Sequence, residues 1–257
     1  MNKLRLVVID VDGCLTPGEG QAWNFEALKY AARLNRRAQE DAANLAATLC
    51  TGRQEPYVEV MMQAIDAHLP GIYENGGGLY YPREYHFVEN PLITAEMREA
   101  LAGIKATLRR AIVETDLGHF QPGKEVSLTI YPLGQVSVHE LYLATVEALA
   151  TCQAGYIAQE SVSCVDVVPR GIDKGAGVRW LSQETGILLD EMGGIGDSAS
   201  DLKFLSILGR SAAPANAAAE VKARVDYVSP YENGDGVVDI LRRWSERLGT
   251  DGVLERF

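Results

Sequence analysis

The order of apolar runs along the chain limits the possible folds more than any other feature. Residues 4–9, LRLVVI, form a short β-branched run, and helix-favouring residues follow from Phe25 to about Glu40. A second apolar run, Leu45–Cys50, precedes the helix-like stretch EPYVEVMMQAIDAHL, and GIY then forms a third short run. This order of strand, helix, strand, helix and strand predicts an α/β domain with a Rossmann-like parallel sheet.

The middle of the chain has a different character. The segments GLYYPREYHFV and EVSLTIYPLGQV are aromatic and β-branched, and two helix-like stretches lie at about 94–112 and 137–150. This pattern predicts a separate α+β insertion that acts as a lid. The α/β alternation is expected to return near Val165, in SVSCVDVVP. The predicted limits are 1–78 and 168–257 for a discontinuous core domain and 79–167 for an inserted α+β cap domain.

Charge and cysteine usage exclude several classes of function. The formal net charge of -11 makes nucleic acid an improbable partner, because most of the surface repels a polyanion. Four cysteines form no CxxC pair, which argues against a zinc site or a disulfide framework. No stretch approaches the ~20 apolar residues of a membrane span, and no signal-like segment is found. We therefore expect a cytoplasmic protein, whose oligomeric state the sequence leaves open.

Four polar signatures follow apolar runs or open the helices beyond them. They are DVDG, which contains Asp10 and Asp12, CTGR, which contains Thr51, DKGAG with Lys174, and GDSASD with Asp197. In open parallel sheets, ligands bind outside the carboxyl ends of the strands. We therefore expect the four signatures to meet at one site.

The acidic residues are candidate ligands of a magnesium ion. Asp10 and Asp12 alternate with Val11, so their side chains are expected on the same side of the chain. Asp197 and Asp201 supply a third and a fourth carboxylate, one helical turn apart. Hard oxygen ligands without histidine suit Mg²⁺. Each acid alone is also typical of a turn or a helix cap, and only the complete set favours the metal site.

Three further residues are candidate phosphate ligands. The Thr51 hydroxyl can donate to a phosphate oxygen, and Gly52 lets the backbone approach closely. Lys174 begins a helix, where a positive charge opposes the macrodipole, so an anion between the two would suit both. The alternatives are an ordinary strand-to-helix turn at Thr51 and a solvated lysine offset by Asp173. Arg53 can pair with phosphate or lie on the surface, and both possibilities stay open.

These motifs resemble those of a known family. DVDGCLT, TGR, RGIDKGAG and GDSASD are similar to the four ordered motifs of the haloacid dehalogenase (HAD) phosphatase superfamily. The long insertion between the second and third motifs resembles the subgroup with a type C2 cap, which includes Cof-type sugar phosphatases, sucrose-phosphate phosphatase and archaeal-type phosphoglycolate phosphatase. ENGG, VVPRGIDKG and APANA fit that subgroup as well. One position departs from the pattern, because Cys14 stands where threonine is common.

The resemblance implies a role for each matched residue. Asp10 would be the nucleophile that becomes an aspartyl-phosphate, and Asp12 would be the general acid and base. Thr51, Gly52 and Lys174 would bind the transferring phosphoryl group. The implied magnesium ligands are Asp10, Asp12 through its backbone carbonyl, Asp197, and Asp201 as a direct or more distant acid.

The expected function is a Mg²⁺-dependent phosphatase that hydrolyses a small phosphorylated metabolite, either a sugar phosphate or a phosphoglycolate-like compound. A phosphomutase on the same core and a catalytically silent regulatory protein are the alternatives. The sequence does not identify the substrate. Lys124, Tyr131 and Arg170 can face the pocket or lie on the surface, and Asn216 can orient groups near the metal or cap the helix that follows it.

Overall fold

The fold is described from a computed structural model that covers residues 3–152 and 155–246 of the 257 residues. Its strands, in chain order, are β1 (Leu6–Ile9), β2 (Ala46–Leu49), β3 (Gly71–Tyr73), β4 (Gly78–Tyr81), β5 (His86–Glu89), β6 (Gly118–Phe120), β7 (Leu128–Pro132), β8 (Tyr156–Glu160), β9 (Val165–Pro169), β10 (Met192–Ile195), β11 (Arg210–Ala213) and β12 (Tyr227–Val228). Its α-helices are α1 (Phe25–Glu40), α2 (Glu55–Ala64), α3 (Ala95–Leu108), α4 (Val138–Leu149), α5 (Lys174–Thr185), α6 (Leu202–Leu205), α7 (Ala219–Lys222) and α8 (Asn233–Glu246). None of the described helices combines the length and apolar character needed to cross a bilayer.

Five strands form a parallel sheet in the order β12-β11-β10-β1-β2, which confirms the predicted α/β fold class. Strand β1 lies in the middle, so both of its faces are buried. Val7 and Ile9 pack in the apolar cluster formed with α1, α2 and α8. Leu6 and Val8 point to the other face and pack with α5, α6 and α7. This central position explains why LVVI is apolar throughout.

The helix termini show why the chain begins its helices where it does. The Asn24 side chain accepts hydrogen bonds from the backbone N–H groups of Glu26 and Ala27 at the start of α1. The Asp173 side chain caps α5 by accepting from Ala176 N at 2.8 Å. Each cap satisfies donors that have no partner within the helix. The cap on α5 places Lys174 in the first turn of that helix.

The insertion contains a four-stranded antiparallel sheet in the order β6-β7-β9-β8. Helices α3 and α4 cover one face of this sheet, and a π-helical turn, Arg109–Val113, extends α3. The two helices confirm the helix-like stretches predicted for the insertion. The division into core and cap domains stays a prediction, and its limits fall inside β4 and β9.

Two sequence-based assignments differ from the structure. The run Val165–Pro169 does not resume the parallel sheet, because it pairs antiparallel with β7 and β8. The α/β order returns only at Lys174. The third run, Gly71–Tyr73, pairs antiparallel with β4 and meets the parallel sheet through a single parallel bridge from Ile72 to Cys50. Both runs have the apolar composition of buried strands, and composition does not define the partner strand.

Candidate active site

A buried lysine joins two of the predicted acids at the carboxyl end of β1. The Lys174 ammonium lies 2.9 Å from Asp10 Oδ1 and 2.5 Å from Asp201 Oδ1. Asp10 follows the last residue of β1, and Lys174 lies in the first turn of α5. All three side chains are almost inaccessible to solvent. Lys174, from the third predicted motif, therefore links Asp10 of the first motif to Asp201 of the fourth.

The Asp201 carboxylate is fully engaged by neighbouring groups. Its Oδ2 accepts hydrogen bonds from the backbone N–H groups of Asp197 and Ser198 and from the Ser198 hydroxyl, at 2.9 to 3.0 Å. Its Oδ1 faces Lys174. These contacts fix both the loop that carries Asp197 and the ammonium of Lys174. A direct role for Asp201 as a metal ligand stays a prediction.

Three potential metal ligands converge beside this ion pair. An oxygen of Asp10, an oxygen of Asp197 and the Cys14 Sγ lie within 4.8 Å of one another. The thiol is fully buried and lies 3.9 Å from Asp197 Oδ1. The loop leaves room for Asp197 because Gly13 has a φ of +82° and no side chain. The carboxylates suit a hard divalent cation, and the thiol is a softer donor.

Three acids and one lysine share this buried cluster, and their pKa values are shifted. Burial and Asp201 raise the pKa of the Asp10 carboxyl well above its usual range, with Lys174 opposing the shift. Burial and Asp201 also raise the pKa of Asp197 to about 7. Burial opposes the charge on Lys174, but Asp10 and Asp201 raise its pKa above the usual value. A bound divalent cation would offset the excess negative charge.

The Asp12 carboxylate lies apart from the metal-ligand cluster and pairs with Arg53. The guanidinium donates from Nε and Nη2 to the two carboxylate oxygens, at 2.6 and 2.7 Å. The same guanidinium stacks over the Tyr57 ring and lies 3.6 Å from Glu19. Asp12 raises the pKa of Arg53, despite partial burial. Arg53 is therefore a residue of the site and does not lie free on the surface.

The second motif lines the same cavity. Thr51 is buried, and its hydroxyl accepts a hydrogen bond from Arg53 N at 3.2 Å. A side chain at Gly52 would approach the amide of Asn75 to 3.1 Å, so glycine keeps the backbone accessible here. Both residues lie on the wall that also carries Asp10 and Lys174. The placement agrees with the predicted phosphate site, whose ligands stay a prediction.

The insertion supplies the opposite wall of the cavity, whose volume is about 210 Å³. Lys124 and Tyr131 line it, whereas Arg170 is exposed and lies outside it. The Tyr131 hydroxyl donates to Glu19 at 2.9 Å, which connects the insertion to the loop after β1. Asn216 donates to Gly13 O at 2.8 Å and accepts from the backbone N–H group of Asn233, so it supports the loop and the start of α8.

Sequence reasoning missed two acids of the cavity, Glu19 and Asp166. Glu19 lies in the turn segment TPGEG, and Asp166 lies in a run that resembles a buried strand. The period of two in β9 carries a signal for Asp166, because its neighbours Val165 and Val167 pack under the helices of the insertion. Asp166 must then face the other side of the sheet. No comparable signal marks Glu19.

Comparisons with known proteins agree with this arrangement. A sequence profile described as haloacid dehalogenase-like hydrolase matches residues 137–241. A protein of Methanopyrus kandleri named phosphoglycolate phosphatase is 28% identical over 251 residues, which cover 95% of this chain and 98% of that protein. A crystal structure from Thermoplasma acidophilum has a TM-score of 0.74 at 23% identity and covers 96% of this chain and 100% of that one. The sucrose-phosphatase of Synechocystis has a TM-score of 0.68 at 15% identity, with 95% of this chain and 98% of that one covered.

Proposed function

We propose that the chain, which belongs to the haloacid dehalogenase superfamily in the branch of phosphatases with a C2-type cap, hydrolyses a small phosphorylated metabolite. In this proposal Asp10 is the nucleophile and Mg²⁺ is the cofactor. As a member it is a phosphoric monoester hydrolase. The observation that carries the proposal is the contact of Lys174 with Asp10 and Asp201 in the cavity that Thr51 and Asp197 also line. A buried nucleophile beside a buried cation suits attack on a phosphate dianion.

The residues present fit a magnesium ion. Asp10 and Asp197 present carboxylate oxygens close together, and burial together with the neighbouring Asp201 raises the pKa of both. Asp10, the Asp12 backbone carbonyl and Asp197 would hold the ion, and Asp201 would act as a further acid. When bound, magnesium neutralises charge on the phosphoryl oxygens and so lowers the repulsion between the phosphate and the attacking carboxylate.

The residues of the chain divide the remaining tasks. The carboxylate of Asp10 attacks phosphorus and forms the aspartyl-phosphate, while Lys174 holds that carboxylate in place at 2.9 Å. Lys174, the Thr51 hydroxyl and the Gly52 backbone N–H bind the phosphoryl oxygens. Asp12 protonates the leaving oxygen and then removes a proton from the hydrolytic water. Because Arg53 fixes Asp12, we infer that Arg53 positions this proton carrier.

The cavity favours a small substrate. Its volume of about 210 Å³ lies below the ~300–1,000 Å³ typical of pockets for drug-sized ligands. Full-length relatives that are named phosphoglycolate phosphatase support a two-carbon phosphomonoester over a disaccharide phosphate. Phosphoglycolate is accordingly the first compound to test.

The test is hydrolysis of para-nitrophenyl phosphate and of phosphoglycolate by the purified chain, with magnesium and with a chelator. We expect magnesium-dependent phosphate release that Asp10→Asn abolishes, together with a trapped phosphoenzyme that this variant lacks. Asp116→Asn is the matched control, because Asp116 lies exposed in a turn with φ +57°, a conformation that asparagine tolerates.

Each alternative gives a distinct result. A folded protein that releases no phosphate with any divalent cation would refute the phosphatase and favour the silent regulatory protein. Transfer of the trapped phosphoryl group to a second sugar would favour the phosphomutase. Activity that survives in Asp10→Asn would leave the enzyme class intact and refute the assigned nucleophile.

A further inference from the structure

Lys124 is a buried cation in the cavity that lacks a hydrogen bond. Its side chain is 2% exposed, and its ammonium lies 3.6 Å from Asp166 Oδ1, beyond hydrogen-bond distance. Of the cations that line the cavity, Lys174 is held by Asp10 and Asp201, and Arg53 is held by Asp12. Within the described part of the chain, Lys124 is the remaining cavity cation, and its ion pair with Asp166 is too long for a hydrogen bond. Its three N–H donors are available to a ligand.

Asp166 forms an ion pair with this ammonium at 3.6 Å, and its two oxygens also accept hydrogen bonds from other residues. The Thr129 hydroxyl donates to Oδ1, and the Asn75 amide donates to Oδ2 at 3.4 Å. These contacts hold the carboxylate 3.6 Å from the ammonium. The Lys124 ammonium therefore keeps N–H donors that a ligand in the cavity can accept from.

The backbone next to Lys124 is firmly held, so the position of the lysine is set before a substrate arrives. The buried carboxylate of Glu74 accepts hydrogen bonds from the backbone N–H groups of Glu125, Val126 and Ser127, at 2.9 to 3.2 Å. The Ser127 hydroxyl donates to the same carboxylate at 2.7 Å. Glu74 precedes the Asn75 that holds Asp166. The turn that contains Glu74 and Asn75 therefore positions both Lys124 and Asp166.

The register of the four-stranded sheet directs polar side chains toward the cavity. Leu128 and Ile130 of β7 pack under the helices, whereas the alternating Thr129 and Tyr131 line the cavity. Lys124 belongs to the part of the cavity lining that the insertion contributes, and the Asp10–Lys174 pair belongs to the part that the core contributes. A substrate whose phosphoryl group binds at Asp10 would extend its leaving group toward Lys124.

We propose that Lys124 binds a carboxylate on the leaving group and makes the enzyme selective for small phosphorylated hydroxy acids. The inference rests on the proposed phosphatase function and assigns the substrate class of the same cavity. An ammonium with open donors recognises a carboxylate, and a small cavity brings the two ends of a two- or three-carbon substrate within reach of both walls. A neutral hydroxyl at that position would leave the ammonium incompletely paired.

The test compares two substrates that differ only at the distal group, 2-phosphoglycolate and 2-hydroxyethyl phosphate. Lys124→Met keeps the apolar stem and removes the charge. We expect kcat/KM for 2-phosphoglycolate to fall about 10- to 100-fold, mainly through KM, because a hydrogen bond to a charged group is lost. The value for 2-hydroxyethyl phosphate should change by no more than about twofold, a difference too small to indicate a lost charged hydrogen bond.

Three control variants separate binding from structure. Lys105→Met makes the same change at an exposed position of α3 and should alter neither value. Lys124→Arg retains the charge and should recover part of the selectivity for 2-phosphoglycolate. Asp166→Asn removes the counter-charge but keeps the ammonium, so the preference for the carboxylate substrate should persist. Melting temperatures show whether each variant is folded.

The outcomes distinguish this inference from the proposed function. Equal losses on both substrates in Lys124→Met, or no loss on either, would refute carboxylate recognition while the phosphatase stands. Loss of the preference in Asp166→Asn as severe as in Lys124→Met would show a structural ion pair and refute it as well. Absence of hydrolysis of both substrates by the unmodified protein would refute the phosphatase and this inference together.

Discussion

Arg53 holds both oxygens of the Asp12 carboxylate, through two charge-assisted hydrogen bonds of 2.6 and 2.7 Å. The pair joins the first two polar motifs of the chain across 41 residues. The guanidinium lies over the Tyr57 ring, which limits its own movement. Because a bidentate pair fixes orientation as well as distance, Arg53 sets the orientation of the Asp12 carboxylate.

Replacing Arg53 with lysine should impair protonation of the leaving group. Lysine keeps the charge but offers no planar pair of donors, so Asp12 loses its fixed orientation. We expect kcat to fall about 10- to 100-fold for an alkyl phosphate, whose leaving oxygen needs a proton. The decrease should be smaller for para-nitrophenyl phosphate, because nitrophenolate leaves readily without one. Equal decreases for both substrates in steady-state kinetics would contradict this role.

Asp201 should support activity through stability and through the position of Lys174. In Asp201→Asn, a side-chain NH₂ group replaces one oxygen and faces either Lys174 or the donors at Oδ2. A buried donor then loses its acceptor. We expect a loss of ~3 kcal/mol in the free energy of unfolding, measured by denaturant titration, and a lower kcat. Ser198→Ala removes one of three donors to Oδ2 and should cost only ~1 kcal/mol. Similar losses in the two variants would contradict the central position of Asp201.

Much of the core side of the candidate site could be predicted from the sequence, since each residue lies near the end of a regular element. Asp10 follows β1, Thr51 lies just beyond β2, Asp197 follows β10, and Lys174 opens α5. In a parallel sheet the carboxyl ends of the strands meet at one edge, so position along the chain predicts position at the site. The residue types and the strand topology therefore predict the same site.

The side of the cavity where the insertion meets the core could not be predicted in this way. Lys124 and Glu19 lie in irregular segments whose place depends on how the insertion packs over the core. The Glu74 carboxylate that holds the backbone after Lys124 reaches across about 50 residues, and no local pattern marks such a contact. Val165–Pro169 shows the same limit, because its composition indicates a buried strand but not its partner. Long-range packing determines these features, and no periodic pattern in the sequence marks them.

The affinity for magnesium should rise with pH through the neutral range. Burial and Asp201 raise the pKa of Asp197 to about 7, so a proton competes with the metal below that pH. For the metal-free protein, a carboxyl with a raised pKa stabilises the fold fully below its ordinary pKa near 4, and this contribution is lost as the pH rises through about 7. The melting temperature in chelator should therefore fall between about pH 5.5 and pH 8.

Differential scanning fluorimetry with and without magnesium measures both effects. The increase in melting temperature caused by magnesium should be larger at pH 8 than at pH 5.5, since the metal then competes with fewer protons. Asp197→Asn should flatten the decrease seen in chelator, because its amide does not titrate. A magnesium effect that does not vary with pH would contradict a raised pKa at the metal site.

Cys14 should give the site an affinity for thiophilic metals. Its buried Sγ lies close enough to Asp10 and Asp197 for all three to share one ion. Magnesium avoids sulfur, whereas cadmium prefers it, so Cys14→Ser should weaken cadmium binding by about tenfold or more and leave activation by magnesium unchanged. Cadmium titrations followed by the ultraviolet sulfur-to-metal absorption band measure this difference. Absence of that band in the unmodified protein would exclude the thiol from the metal site.

Gly13 should tolerate no side chain, because the loop after β1 passes directly against Asp197. A Cβ atom at position 13 would lie 2.2 Å from Asp197 Oδ2, and the φ of +82° already disfavours other residues. Gly13→Ala should displace Asp197 and lower kcat/KM about 100-fold, since small displacements of catalytic groups have large effects. Gly20→Ala is the matched control, because Gly20 has a φ of +70° with no atom within 4 Å of its Cβ position. It should lose only about 1–2 kcal/mol of stability through backbone strain and keep its activity. Equal activity of the two variants would show that the contact with Asp197 does not limit catalysis.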